Sequence, residues 1–150
     1  MRTELNDALK TAMKEKDALA TSTLRLIQAA LKDRDIAARS KGNTDGIDDD
    51  EILGLLQSMI KQRRESIEAY KKGGRMELAE QEAGEIAIIE RFLPKQMSAD
   101  EISEAVDGVI AEFEATTLKD MGKVMGALKE RFPGCMDFGK ASAQVKEKLG

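Results

Sequence analysis

Lysine and glycine residues near the C-terminal end of the chain are spaced in a way that suits phosphate binding. Lys119 and Lys123 are four residues apart, which places them on one face if the segment is helical. Gly122 and Gly126 have the same spacing, within the run Asp120-Met121-Gly122-Lys123-Val124-Met125-Gly126. A lysine ammonium group binds phosphate oxygens, and a glycine lets a ligand come close to the main chain. This pattern indicates a candidate phosphate-binding surface.

Both parts of the pattern also have a purely structural explanation. Lysines at helical spacing are typical of a solvated helix face, where they keep a protein soluble. A glycine inside a helix costs about 1 kcal/mol relative to alanine, and close packing of a neighbouring helix would offset that cost. The phosphate interpretation therefore needs support beyond the charge alone.

The charge of the chain is distributed unevenly. The 24 Lys and Arg residues against 28 Asp and Glu residues give a net charge of −4, so any contact with nucleic acid must be local. Residues 95–114 carry one cation and six anions, a net of −5. Residues 115–150 carry seven cations and four anions, a net of +3. The basic end of the chain is therefore a local feature of an acidic protein.

The composition excludes several classes of active site. With 0 His and 1 Cys, the chain alone builds no Ser-His-Asp set, no Cys-His pair and no Cys/His zinc site. Cys135 lies in a turn without a histidine partner, so we expect an inert thiol. The acidic run from Asp48 to Glu51 is better explained as the start of a helix than as a cation site. We therefore expect no catalytic residue, metal ion or cofactor.

The hydrophobic periodicity is helical along nearly the whole chain and predicts an all-α fold of seven helices. The first helix would bury Leu5, Leu9, Ala12 and Met13, and the fourth would bury residues from Met76 to Leu93. Gly73-Gly74 would end the third helix. The predicted helix caps are Thr3, Ser98 in a capping box with Glu101, Thr116-Thr117, and Asp137.

Pro94 divides the chain into two predicted domains, because proline stops the fourth helix and Ser98 starts the next. The division gives an N-terminal antiparallel helical domain, 1–94, and a small three-helix tail domain, 95–150. The expected core of the tail consists of Phe113, Val124, Leu128, Phe138, Val145 and Leu149.

A second basic run lies in the third helix and the turn after it. Its members are Lys61, Arg63 and Arg64, with Lys71, Lys72 and Arg75 downstream. We interpret the run as a solvated face, with an extension of a nucleic-acid surface as the alternative. The N-terminus has no signal-peptide pattern and no stretch is apolar enough to span a bilayer. The sequence therefore leads us to expect a cytoplasmic protein without a membrane partner.

Two stretches of the chain resemble the YqeY-like family. The first runs from Glu85 to Ser98 and contains Phe92-Leu93-Pro94-Lys95-Gln96. The second runs from Lys119 to Leu149, and it looks like the tail that this family shares with GatB, the B subunit of glutamine-dependent aminoacyl-tRNA amidotransferase. The opening run Leu24-Arg25-Leu26-Ile27-Gln28 also fits the family. The family often has Asp-Gly before the last helix, whereas here Phe138 separates Asp137 from Gly139.

The resemblance implies a helical N-terminal domain and a tail that holds tRNA without performing chemistry. Our first hypothesis is a non-catalytic accessory protein that binds tRNA or a tRNA-related complex. The second is a protein–protein adaptor without RNA. The family label of carbon–nitrogen ligase activity with glutamine as amido-N-donor suggests a third, which the absence of a nucleotide-binding motif disfavours. The candidate RNA-binding residues are Lys119, Gly122, Lys123, Lys129, Lys140 and Lys146.

Overall fold

The computed structural model describes residues 1–150 and confirms the all-α fold. It contains seven α-helices and one 3₁₀ turn, and no strand. The helices are α1 (Arg2–Lys14), α2 (Ala18–Ser40), α3 (Asp49–Lys72), α4 (Met76–Glu90), α5 (Ala99–Glu112), α6 (Met121–Arg131) and α7 (Phe138–Leu149). The 3₁₀ turn is Leu118–Asp120, directly before α6.

The chain forms two compact units, Met1–Leu93 and Pro94–Gly150. Each unit has its own hydrophobic core. In the N-terminal unit α3 packs along α4, α1 packs on α2, and α2 also contacts α4. Short turns connect α1 to α2 and α3 to α4, which is the arrangement of antiparallel helical hairpins. The most deeply buried side chains of this core are Leu5, Ile27, Ile52, Leu56 and Ile89.

Aspartate side chains start the two long helices of the N-terminal unit. The Asp17 carboxylate accepts a hydrogen bond from the Ala20 N–H at 3.1 Å, and the Asp48 carboxylate accepts one from the Glu51 N–H at 2.8 Å. Each satisfies a backbone donor that the first helical turn leaves free. Asp48 therefore acts as a helix cap, as the acidic run predicts.

The predicted start of the first helix is wrong. Helix α1 begins at Arg2 rather than after Thr3, because the Met1 carbonyl already accepts the Leu5 N–H at 3.1 Å. Two methionines assigned to the core are also exposed: Met13, at the end of α1, by 51%, and Met76, at the start of α4, by 50%. Met13 is the second-last residue of α1, and Met76 is the first residue of α4.

One member of the second basic run does not lie on a solvated face. The Arg63 guanidinium is 12% exposed and forms an ion pair with Glu85 of α4, whose side chain is 9% exposed. The Nε–Oε2 distance is 2.9 Å, and Glu82 lies 3.8 Å from the same nitrogen. The interpretation of Arg63 as a solvated residue is therefore wrong, because its side chain joins α3 to α4. Lys61 and Arg64 on α3 are exposed.

The C-terminal unit is a bundle of α5, α6 and α7 in which each helix packs against the other two. The predicted capping box is present: the Glu101 N–H donates to Ser98 Oγ at 3.2 Å, and the Ser98 N–H donates to Glu101 Oε1 at 3.0 Å. Asp137 caps α7 through the N–H groups of Gly139 and Lys140. The core contains Val106, Val124, Leu128, Met136 and Val145, all fully buried.

One detail of the predicted tail is wrong. Phe113 does not belong to the core, because it is the residue that ends α5 and is 44% exposed. Thr117 is the N-cap of the helical segment that begins at Leu118, as predicted, but the first turn of this segment is 3₁₀ and α6 itself begins at Met121. The Asp120 carboxylate accepts the N–H groups of Thr116 and Thr117 at 3.1 and 3.4 Å and so closes this turn.

The first residues of the C-terminal unit form hydrogen bonds with the turn between α6 and α7. The Gln96 side-chain amide donates to the carbonyl of Gly134 at 2.7 Å and to that of Pro94 at 3.0 Å. The Met97 N–H donates to the carbonyl of Cys135 at 2.8 Å. The Leu-Pro-Lys-Gln segment thus has a structural role within this unit.

Candidate functional site

The candidate RNA-binding residues all lie on the surface of the C-terminal unit. Lys119 belongs to the 3₁₀ turn, whereas Gly122, Lys123 and Lys129 belong to α6. Lys140 and Lys146 belong to α7. All are exposed, and none of the lysines forms an ion pair within the protein. Their charges are therefore free to meet an external anion.

The glycines of α6 form an open stripe on its outer face. Val124 and Leu128 point into the core, and at 100° per residue Gly126 lies about 180° away from the midline between them. A Cβ atom added at Gly122 or Gly126 would meet no other atom within 4 Å. The packing explanation of these glycines is therefore wrong, because no neighbouring helix approaches them.

Lysines border this stripe on both sides. Lys123 and Lys129 lie about 60° to either side of Gly126 around the axis of α6. Glu130 is an exposed carboxylate on the same outer face. The result is a strip of bare backbone with an ammonium group on each side and the Glu130 carboxylate one turn beyond Gly126. We call Gly122, Lys123, Gly126 and Lys129 the α6 strip.

Lys119 lies just before the start of α6 and lengthens the basic surface in that direction. It belongs to the 3₁₀ turn and not to the α-helix. The 3₁₀ turn that carries it is held by Asp120, whose carboxylate accepts the two threonine N–H groups described above. The hydrogen bond from Thr116 lowers the pKa of Asp120 most, and the bond from Thr117 lowers it next. The nearby charge of Lys123 lowers it further. Asp120 is thus a fixed anion close to Lys123 and offsets part of its charge.

Two basic residues of the unit are occupied by partners on α5. Arg131 forms a bidentate ion pair with Glu112, with N–O distances of 2.6 and 2.8 Å. Lys148 contacts Asp107 and donates to Ser103 Oγ at 3.1 Å. Both residues belong to the basic excess of 115–150, but in the fold each pairs with one carboxylate of α5.

The same two contacts show how the remaining lysines are oriented. Arg131 and Lys148 mark the edges of α6 and α7 that face α5, and Lys129 and Lys146 lie on the opposite edges of these helices. Lys129 and Lys146 therefore border the α6–α7 seam. Lys140 lies on the outer face of α7, away from Lys146. The fold brings Lys129 and Lys146 to the α6–α7 seam, whereas Lys123 lies about 120° from Lys129 around α6, toward the Arg131 edge, and Lys140 is set apart.

Cys135 is the one cysteine of the chain and lies in the turn between α6 and α7. Burial raises the pKa of the Cys135 thiol, and Cys135 Sγ donates to the carbonyl of Phe132 at 3.5 Å, as expected for an inert cysteine. No group of three or more His, Cys, Asp or Glu side chains is close enough together to hold a metal ion. None of the helices combines the length and the apolar character needed to cross a membrane.

The fold defines an all-α protein of two helical units, of which the second presents a basic surface. A family model described as Yqey-like protein matches residues 2–149. The chain belongs to this family.

Relatives of the chain in yeasts are named Altered inheritance of mitochondria protein 41, mitochondrial. The protein of Lachancea thermotolerans is 33% identical over 125 residues, which is 79% of this chain and 65% of that protein. The protein of Eremothecium gossypii is 30% identical over 114 residues, 75% of this chain and 60% of that protein. The protein of Saccharomyces cerevisiae is 25% identical over 146 residues, 97% of this chain and 66% of that protein.

These relatives overturn one expectation from the sequence. Their names carry the word mitochondrial, which contradicts the expectation of a cytoplasmic protein. The absence of a signal-peptide pattern was the basis of the cytoplasmic expectation, and that pattern reports only on secretion. The chain spans 60 to 66% of the length of these curated relatives.

Proposed function

We propose that the protein is a non-catalytic accessory protein that binds tRNA through its C-terminal unit. The observation that supports this most directly is the α6 strip, in which glycines that no packing requires lie between unpaired lysines. Two exposed glycines lower the stability of a short helix by about 1 kcal/mol each. Access of a phosphate backbone to the main chain of α6 would account for that cost.

The composition of the surface suits a structured RNA better than a single strand. Lysines bind phosphates as point charges, and contacts to phosphates carry no sequence information. Single-stranded RNA is usually held by aromatic rings on which bases stack, and Phe113 is the only aromatic residue of this unit that is largely exposed. Paired RNA is recognised through its shape and its phosphates, which this surface can provide. The proposal includes no amide-forming step.

The test is a titration of labelled tRNA with the full chain at several salt concentrations. We expect Lys123→Glu with Lys129→Glu to weaken binding and to flatten the salt dependence, because each lost phosphate contact removes about 0.7–0.9 units of slope. Lys10→Glu with Lys14→Glu is the matched control, since it makes the same charge change on exposed lysines of α1, outside both basic runs. Circular dichroism monitors folding.

The control separates a local surface from a general effect of charge. If both double variants weaken binding equally, net charge and not the α6 strip determines affinity. If the wild-type protein binds tRNA no more tightly than it binds an unrelated polyanion such as heparin, the proposal of a tRNA partner is wrong.

A further inference from the structure

The outer face of α2 carries an apolar stripe that the N-terminal unit leaves uncovered. Leu24, Ile27 and Leu31 point into the core. On the opposite side Leu26 and Ile36 are exposed by 48% and 51%. Leu26, Ala29 and Ile36 recur at intervals of three and seven residues, which is the spacing of a seam along which a second helix packs. Asp33 is the one charged residue within this stripe.

The stripe begins at an open groove between the end of α1 and the start of α2. The groove has a volume of about 730 Å³, and Met13 and Leu26 provide its exposed apolar side chains. Lys16 and Arg25 are the only charged residues that line it. The lining is therefore mainly apolar, and both of its charged residues are cations.

Cations follow the stripe along one edge. Arg25, Lys32 and Arg39 are spaced seven residues apart, so they lie on one side of α2, next to Leu26 and Ile36. All are exposed, and none forms an ion pair within the protein. Other arginines of this unit, such as Arg2 and Arg63, do have carboxylate partners. Arg25 and Lys32 thus have no carboxylate partner within the chain, and Arg39 acts only on Asp35, which already pairs with Arg2.

We propose that this surface, the α2 docking face, binds an amphipathic helix of a partner protein whose edge is acidic. The partner's apolar residues would pack along Leu26, Ala29 and Ile36, with one of them inserted in the groove beside Met13. Its carboxylates would pair with Arg25, Lys32 and Arg39. Recognition of a helix through anchors spaced three, four and seven residues apart is a common mode of protein binding.

Charge complementarity selects this occupant over the alternatives. In an antiparallel pair of two copies of α2, the rows of Arg25, Lys32 and Arg39 would face each other and repel. In a parallel pair they would face Ala30 and Ala37 of the other copy, with no charge to meet. A membrane-bound helix needs a broader apolar face, and Asp33 interrupts this one. An RNA phosphate chain would leave Leu26 and Ile36 without apolar cover.

The test uses a designed helical peptide as the probe and the full chain as the receptor. The first peptide has leucine at heptad positions a and d, which form the seam, and glutamate at the flanking positions e and g. The second peptide is identical except that lysine replaces each glutamate. We expect the acidic peptide to bind at least tenfold more tightly than the basic one, as measured by fluorescence anisotropy. Equal binding of the two peptides, or binding of neither, would overturn the proposal.

Two variants locate the binding on α2. Leu26→Asp with Ile36→Asp should weaken binding of the acidic peptide at least tenfold. Arg25→Glu with Lys32→Glu should reverse the preference, so that the basic peptide binds better. Because all four side chains are exposed, the melting temperature should stay near that of the wild type. A charge-reversed variant that still prefers the acidic peptide contradicts the proposed pairing.

A photo-crosslinker at position 29 identifies the natural occupant. The crosslinked segment is sequenced by mass spectrometry, and we expect an acidic amphipathic helix of another protein. A crosslink to a second copy of the chain, to lipid or to RNA overturns the proposal. The same crosslinker at position 65, on an exposed part of α3, provides the background. Because the peptide titration contains no RNA, its outcome does not depend on the proposed tRNA binding.

Discussion

Arg63 and Glu85 are joined by a hydrogen bond of 2.9 Å between Nε and Oε2, in the interior of the α3–α4 pair. Arg63 also donates from Nη1 to the carbonyl of Met59 at 3.2 Å, so its guanidinium is held at two points. A buried ion pair contributes little by itself, but removal of one member leaves the other charge without a partner in a poorly solvated site.

We predict that Arg63→Ala destabilises the protein by about 3 kcal/mol, because it leaves Glu85 buried and unpaired. The measurement is urea unfolding followed by circular dichroism. Arg64→Ala is the control, since Arg64 meets Glu90 at 3.6 Å on an exposed surface, and such pairs contribute about 0–1 kcal/mol. A loss of similar size in both variants would mean that the burial of Arg63 has no energetic consequence.

The lowered pKa of Asp35 leads us to expect that the stability of the protein depends on pH. The hydrogen bonds from the Arg2 guanidinium and the Ile47 N–H lower the pKa of Asp35 to about 2, from an ordinary value of 3.8. A lowered carboxylate pKa stabilises the fold above about pH 4, and this contribution is lost as the pH falls toward 2. Because Arg2 is partly exposed, we expect a contribution of about 1 kcal/mol.

The variant Asp35→Asn tests this dependence. At pH 7 it should be less stable than the wild type by about 1 kcal/mol, and the difference in the free energy of unfolding should shrink as the pH is lowered from 5 to 3. Urea unfolding at a series of pH values gives both curves. Parallel curves over that range would show that Asp35 does not titrate differently in the folded and unfolded states.

The open space at Gly122 and Gly126 predicts opposite effects on stability and binding. Gly126→Ala should raise the stability by about 0.5–1 kcal/mol, because alanine favours the helix and nothing lies within 4 Å of the new Cβ. Gly126→Leu should also fold, and it should weaken tRNA binding by holding phosphates away from the main chain. Thermal melts and tRNA titrations measure the two effects. A destabilised Gly126→Ala variant would mean that the glycine has a packing role.

The segment between the two units predicts a site of proteolysis. Pro94 and Lys95 are exposed. Gln96 and Met97 are hydrogen-bonded to the carbonyl groups of Gly134 and Cys135. We expect trypsin to cut early after Lys95 and to release a C-terminal fragment that begins at Gln96. Lys95→Gln should remove that fragment. Early cuts confined to the loop after Ser40 would contradict a separable C-terminal unit.

Local signals in the sequence were sufficient to predict the helices and several of their caps. Ser98, Glu101 and Asp137 act on backbone groups three residues or fewer away, so their roles can be read from a short window. The helical period likewise identified Val124 and Leu128 as core residues. Such features need no knowledge of the neighbouring helices.

The predictions failed where the neighbours decide the outcome. Met13, Met76 and Phe113 have the right period for burial, but they lie at or next to helix ends and are about half exposed. Arg63 falls on the apolar side of α3, and only the position of Glu85 on α4 explains how a charge is tolerated there. The α2 docking face was missed because its exposed apolar residues lie among the buried residues of α2 in the sequence. An exposed apolar residue in such a run is easily assigned to the core.

The separation of charge among the helices of the C-terminal unit gives that unit an electric dipole moment. Exposed carboxylates on α5, such as Glu104, lie on one side, and the free lysines of α6 and α7 lie on the others. In the field of a distant polyanion, a body with this moment experiences a torque as well as a force. The lysines would turn toward the polyanion and α5 would turn away before any contact forms. The rate of productive collisions should therefore fall at high ionic strength even for an encounter partner that makes few direct ion pairs.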